Sequence, residues 1–161
     1  MIAPLLLALA TVAPAAPPAV VTVAEPDELR VVAGGRAEAR LVVTIEEGFK
    51  IQANPASNPF LVPATLELEA DARVRLGAPE YPPGKPYRLP GAASDLSIYE
   101  GTFVIRVPLH ASGVAPEGAA SDVVLEGKLR FQACNRERCL RPSSVAVRVP
   151  VKIAPAAASR H

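Results

Sequence analysis

Apolar and polar residues alternate with period two along much of this chain. The clearest runs are ATLELE at residues 64–69 and VAVRVPVKI at residues 145–153, each reading as a half-buried strand. AEARLVVTI at 37–45, TFVIRVPL at 102–109 and SDVVLEGKLRFQ at 121–132 are rich in β-branched and apolar residues and predict longer strands. Shorter strands are expected at 20–23, 28–32, 49–53 and 73–76. Turn signals separate them, including Gly34-Gly35, the run Glu46-Glu47-Gly48 and the loop formers of NPASNP at 54–59. Residues 79–90 hold five prolines and predict a loop, because proline is excluded from strand interiors. No segment sustains a helical period. Strands at this spacing without intervening helices predict an all-β fold, an immunoglobulin-like antiparallel β-sandwich of about seven to nine strands.

Of the 161 residues, 50% are apolar, enough for one domain with a substantial core. The N-terminus carries an apolar stretch, followed by small residues and prolines, with no charge before Glu25. It predicts a secretory signal peptide over residues 1–16, with Ala13-Pro14-Ala15 as a cleavage site, although the n-region has no Lys or Arg. The domain is then expected over 17–155, with an Ala-rich disordered tail at 156–161. Export would place the chain in an oxidising compartment, where paired cysteines form disulfides. Beyond the leader no apolar run is long enough to span a membrane. Lys and Arg number 17 against 16 Asp and Glu, a net charge of +1 that argues against nucleic-acid binding. Tryptophan is absent, so stacking on bases or sugars is not expected.

Candidate chemistry concentrates in FQACNRERCLRP, residues 131–142, between two long predicted strands. Cys134 and Cys139 are the only cysteines, and the turn between the strands can bring their Cα atoms within the roughly 4.4–6.8 Å a disulfide requires. Three readings fit them. A structural disulfide would close only a short loop. Metal binding lacks partners, since the histidines are His110 and His161. A redox-active dithiol is the third, favoured by the access that an exposed short-loop disulfide offers to an attacking thiolate. Charge bears on the choice. Residues 128–161 hold eight basic groups against the single acid Glu137. Arg136, Arg138 and Arg141 lie in or beside the cysteine loop, where guanidinium groups would lower a thiol pKa. A solvated hairpin face explains the same arginines, and the residues alone leave structural and redox readings level. Asp95, Glu100 and Glu137 are expected to serve turns rather than proton transfer, and Ser143 and Ser144 lack a neighbouring base.

The segment 131–142 resembles the redox motif of the periplasmic N-terminal domain of DsbD, the thiol:disulfide interchange protein. GFKIQANP at 48–55 with FLVPAT at 60–65, and LSIYEG at 96–101 with the strand after it, resemble further blocks of that family in the same order. The similarity spans about residues 20–153. It implies an immunoglobulin-like sandwich that shuttles electrons from a membrane thiol reductase domain to periplasmic thioredoxin-fold or cytochrome c maturation proteins. By position, Cys139 matches the cysteine that forms the mixed disulfide and Cys134 its resolving partner. Neither a metal nor a small-molecule cofactor is implied, and a monomer is expected. Family members continue into a membrane domain and a thioredoxin domain, so the electron donor is expected to be a separate protein. Their aromatic-tipped cap corresponds to residues 85–95, where Tyr87 and Leu89 are the bulky candidates for a lid over the sulfurs. The rival function is a non-redox interaction domain with a structural disulfide.

Overall fold

The computed structural model describes residues 19–113 and 119–156. The expected leader at 1–16 lies outside them, as does the expected tail apart from residue 156. No helix occurs among the described residues, and so none that is long and apolar enough to cross a membrane. The strands run β1 (Val21–Ala24), β2 (Leu29–Val32), β3 (Arg36–Ile45), β4 (Lys50–Gln52), β5 (Thr65–Leu68), β6 (Val74–Leu76), β7 (Lys85–Tyr87), β8 (Leu96–Tyr99), β9 (Thr102–Ala111), β10 (Ser121–Phe131), β11 (Ala133–Cys134) and β12 (Ser143–Ala154).

They form three sheets, ordered β1-β3-β9-β6, β2-β12-β10-β5 and β11-β4-β8-β7. Every pairing is antiparallel except β12 with β2. The first two sheets make an immunoglobulin-like sandwich. Alternate residues of the long strands point inward: Leu41, Val43 and Ile45 from β3, Ile105, Val107 and Leu109 from β9, Leu125 and Leu129 from β10, and Val149 and Val151 from β12 are all buried in one core. Period two in the sequence is thus the direct cause of the two-layer core. At Gly127 the alternation breaks for a steric reason. A Cβ there would run into the backbone of β5 at Glu67 and Leu68, so only glycine lets β5 lie beside β10.

The third sheet is what positions the site. Ile51, Ala133 and Tyr99 from this sheet join the main core. Tyr99 stacks on Phe103 with ring centroids 4.3 Å apart. Its hydroxyl donates to the Pro82 carbonyl at 2.8 Å and accepts from the Asn54 N–H at 3.2 Å. Tyr81 accepts from the Leu66 N–H at 2.8 Å, which ties the proline-rich segment to β5. Burial raises the pKa of both phenols. The loop expected throughout 79–90 therefore needs correction, because Lys85–Tyr87 is a strand with Pro86 opposite Ser97. β7 is an edge strand, and proline is tolerated where no ladder bond is needed from its nitrogen.

Candidate functional site

The cysteines lie in the connection between β10 and β12, whose pairing ends at Phe131 opposite Ser143. Asn135 shapes the turn. Its side-chain oxygen accepts from the N–H groups of Glu137 and Arg138, each at 2.9 Å, as short polar side chains do in tight turns. The Asn135 N–H donates to the Arg138 carbonyl at 3.0 Å and the Leu140 N–H to the Ala133 carbonyl at 2.7 Å. Cys134 and Cys139 face each other between those two bonds. In such a pair the side chains approach closely. They form a disulfide with Cα atoms 3.9 Å apart, a little closer than the usual range.

The turn does not hang free at the rim of the sandwich. Its first arm, β11, pairs with β4, placing Ala133 opposite Ile51 and Cys134 opposite Lys50. One sulfur residue is consequently inside and the other outside. Cys134 is 5% exposed, whereas Cys139 is exposed, so the expectation of a wholly exposed pair holds for Cys139 alone. Arg136, Arg138 and Arg141 are all exposed around Cys139, and no ion pair engages them among the described residues.

Beneath Cys134 lies Gln52, which the sequence pattern did not single out. It is 1% exposed, and its Nε2 donates to Cys134 Sγ at 3.8 Å. Its Oε1 is buried without a hydrogen-bond partner among the described residues. Alternation would place Gln52 and Lys50 on an outer face of β4, which is why the sequence reading passed over it.

Residues 85–95 form a hairpin rather than a plain loop, with Tyr87 opposite Leu96. Arg88 and Asp95 close its base through a 2.6 Å ion pair. The Tyr87 ring lies over the Lys50 ammonium, 4.7 Å from nitrogen to centroid, and Lys50 is the strand partner of Cys134. Leu89 is half-buried in a turn that the Ala92 N–H closes on its carbonyl at 3.0 Å. Glu100 bridges Lys50 at 3.6 Å and Lys85 at 3.7 Å, tying β4 to the hairpin. Asp95 and Glu100 are held in ion pairs, and the Glu137 N–H takes part in the Asn135 turn. Among the described residues no cluster of His, Cys, Asp or Glu could hold a metal ion.

No curated protein sequence matches the chain. Among solved structures, the N-terminal periplasmic domain of ScsB from Proteus mirabilis is similar with a TM-score of 0.48 and 14% identity, over 80% of this chain and 44% of that one. The periplasmic chaperone SfaE gives a TM-score of 0.35 at 14% identity, over 88% of this chain and 60% of that one. BcpA, the major pilin subunit of Bacillus cereus, gives 0.39 at 10% identity, over 84% and 40%. The chain thus spans less than two thirds of each of these structures. At the level of sequence, the family described as thiol:disulfide interchange protein DsbD, N-terminal, matches residues 20–150. A match over most of the chain, carrying the cysteine pair within it, means that this protein belongs to the family of DsbD N-terminal domains.

Proposed function

We propose that this chain is an exported thiol–disulfide exchange module, a single sandwich domain over 17–155 behind a signal peptide at 1–16. In this reading it carries electrons from a membrane thiol reductase domain to periplasmic thioredoxin-fold or cytochrome c maturation proteins. The observation that carries the reading is the asymmetry of the disulfide: Cys139 is exposed and flanked by arginines that form no ion pair among the described residues, while Cys134 is held on β11 at 5% exposure. Access governs which sulfur a thiolate can attack.

The cycle balances as follows. A thiolate of the donor dithiol attacks Cys139 Sγ, and Cys134 leaves as a thiolate. The donor's second thiolate then attacks its own sulfur in the mixed disulfide and frees Cys139. Two electrons have moved to this chain and the donor is a disulfide. Cys139 next attacks an acceptor disulfide, and Cys134 attacks Cys139 Sγ to restore the internal bond and release the acceptor as a dithiol. Arg136, Arg138 and Arg141 set positive charge beside Cys139, where a thiolate must form, and solvent screening weakens that attraction. Tyr87 and Leu89 form the lid over the pair.

Trapping tests the roles. Cys134→Ser, reduced and mixed with an oxidised thioredoxin-fold protein, accumulates a mixed disulfide through Cys139, because no resolving thiol remains. Cys139→Ser traps far less. Equal trapping by both removes the assignment. Equilibration with glutathione separates exchange from a structural bond, which sits below about −300 mV.

A further inference from the structure

We propose that Gln52 is a positioning residue for the exchange step, presenting a carboxamide N–H to the sulfur that leaves. The proposal rests on the exchange reading and concerns a residue that reading does not use. Gln52 is the one buried polar side chain among the described residues. It sits two positions along β4 from Lys50, the partner of Cys134, and so on the same face of the strand as that residue. Its Nε2 reaches Cys134 Sγ at 3.8 Å.

The other end of the same amide argues that this contact is not a packing convenience. Oε1 is buried and has no partner among the described residues. Burying an acceptor without a donor costs free energy that an apolar side chain of similar size would not. The neighbouring strand position, Ile98 on β8, is filled by such a side chain at 2% exposure. An unsatisfied buried polar group in a folded protein calls for an explanation, and sites of function are where such costs are retained. The group that the Gln52 side chain does engage is the sulfur.

The contact changes strength during the reaction. In the disulfide, Cys134 Sγ is a neutral and weak acceptor. When the thiolate of a reducing dithiol attacks Cys139 Sγ, a new S–S bond forms there and the Cys134–Cys139 bond breaks. Its electron pair leaves on Cys134 Sγ as a full negative charge. An N–H donor to an anion makes a stronger hydrogen bond than one to a neutral acceptor, more so away from water. A proton from solvent then completes the Cys134 thiol, and the reductant's second thiolate attacks its own sulfur in the mixed disulfide, so that Cys139 leaves as a thiolate. Gln52 therefore favours the transition state, in which charge builds on Cys134 Sγ, over the resting disulfide. The arginines beside Cys139 stand in solvent, where their charge is screened. Gln52 acts on the opposite sulfur from inside.

The test uses the full chain with Gln52→Leu and Gln52→Glu. Three quantities are measured at neutral pH: the rate of reduction by dithiothreitol, the equilibrium with glutathione, and the thermal midpoint. Gln52→Leu is expected to be reduced about tenfold more slowly with its equilibrium little changed, because Cys134 is a neutral thiol in the reduced protein and a neutral disulfide sulfur in the oxidised one. Its thermal midpoint is expected to be unchanged or higher, since a half-satisfied amide has been removed. Gln52→Glu places a carboxyl that burial holds neutral at this pH, so it keeps a donor to the sulfur and is expected to be reduced faster than Gln52→Leu. A Gln52→Leu protein reduced at the wild-type rate overturns the proposal while leaving the exchange reading intact. A wild-type disulfide that excess dithiothreitol leaves oxidised overturns both.

Discussion

An exchange domain must survive the loss of its own disulfide, and the size of that loss follows from the loop the bond closes. Cys134 and Cys139 are separated by 5 positions. For a closed loop of about six residues, the chain-entropy relation gives roughly 7 cal/mol/K, or about 2 kcal/mol at 25 °C. Unfolding entropy of about 2.1 cal/mol/K per residue, over roughly 130 residues, converts this into a fall of about 8 °C in Tm. A domain of this size carries about 5–15 kcal/mol of stability, so most of it remains. The reason lies in the surroundings. Reduction leaves the Asn135 turn, the Leu140 to Ala133 hydrogen bond and the β11–β4 pairing in place, and the sandwich core lies outside the loop. Urea unfolding of the oxidised protein, of the protein in excess dithiothreitol, and of the double variant Cys134→Ser, Cys139→Ser measures the cost directly. The two disulfide-free samples are expected to stay folded and to agree with each other near 2 kcal/mol below the oxidised protein. Unfolding on reduction alone, or a loss above about 5 kcal/mol, would refute the reasoning and make the bond a structural staple.

Replacing Tyr87 and Leu89 together by Ala should speed reduction of the disulfide by a small thiol several-fold at little cost in stability, since the Tyr87–Lys50 contact contributes only about 0.5–1 kcal/mol at a partly exposed site; an unchanged rate in the folded variant removes the lid role. Gly127→Val should destabilise the domain by about 3 kcal/mol, the upper end for overpacking, because the new side chain meets β5 backbone that cannot rotate away; chemical denaturation checks this, and a wild-type midpoint would contradict it. Burial raises the pKa of Tyr81 and Tyr99 above 10.0, so the folded state retains protons that the unfolded state releases. Their contribution is whole below pH 10 and is lost as pH rises through the folded values. Denaturant melts between pH 8 and 11 should accordingly fall less steeply for Tyr81→Phe with Tyr99→Phe than for wild type, and equal slopes would count against the linkage.

The alternation of apolar residues was sufficient to determine the sandwich. Each long strand has one face against the core, and period two is the unavoidable trace of that geometry, so β3, β9, β10 and β12 were legible to within a few residues. The cysteine spacing and its arginines were equally plain, because a tight turn needs only local sequence. What the chain did not reveal is the third sheet. β7, β8 and β11 are two to four residues long, too short to carry a period, and Pro86 disguises an edge strand as a loop. Their existence depends on partners far along the chain, with β4 between β11 and β8. That sheet decides the chemistry of the pair. By docking β11 on β4 it buries Cys134, leaves Cys139 in solvent, and sets the Gln52 amide against the buried sulfur. Local sequence can place two thiols at the ends of a turn. Only long-range pairing, which fixes what covers each of them, makes the two sulfurs unequal.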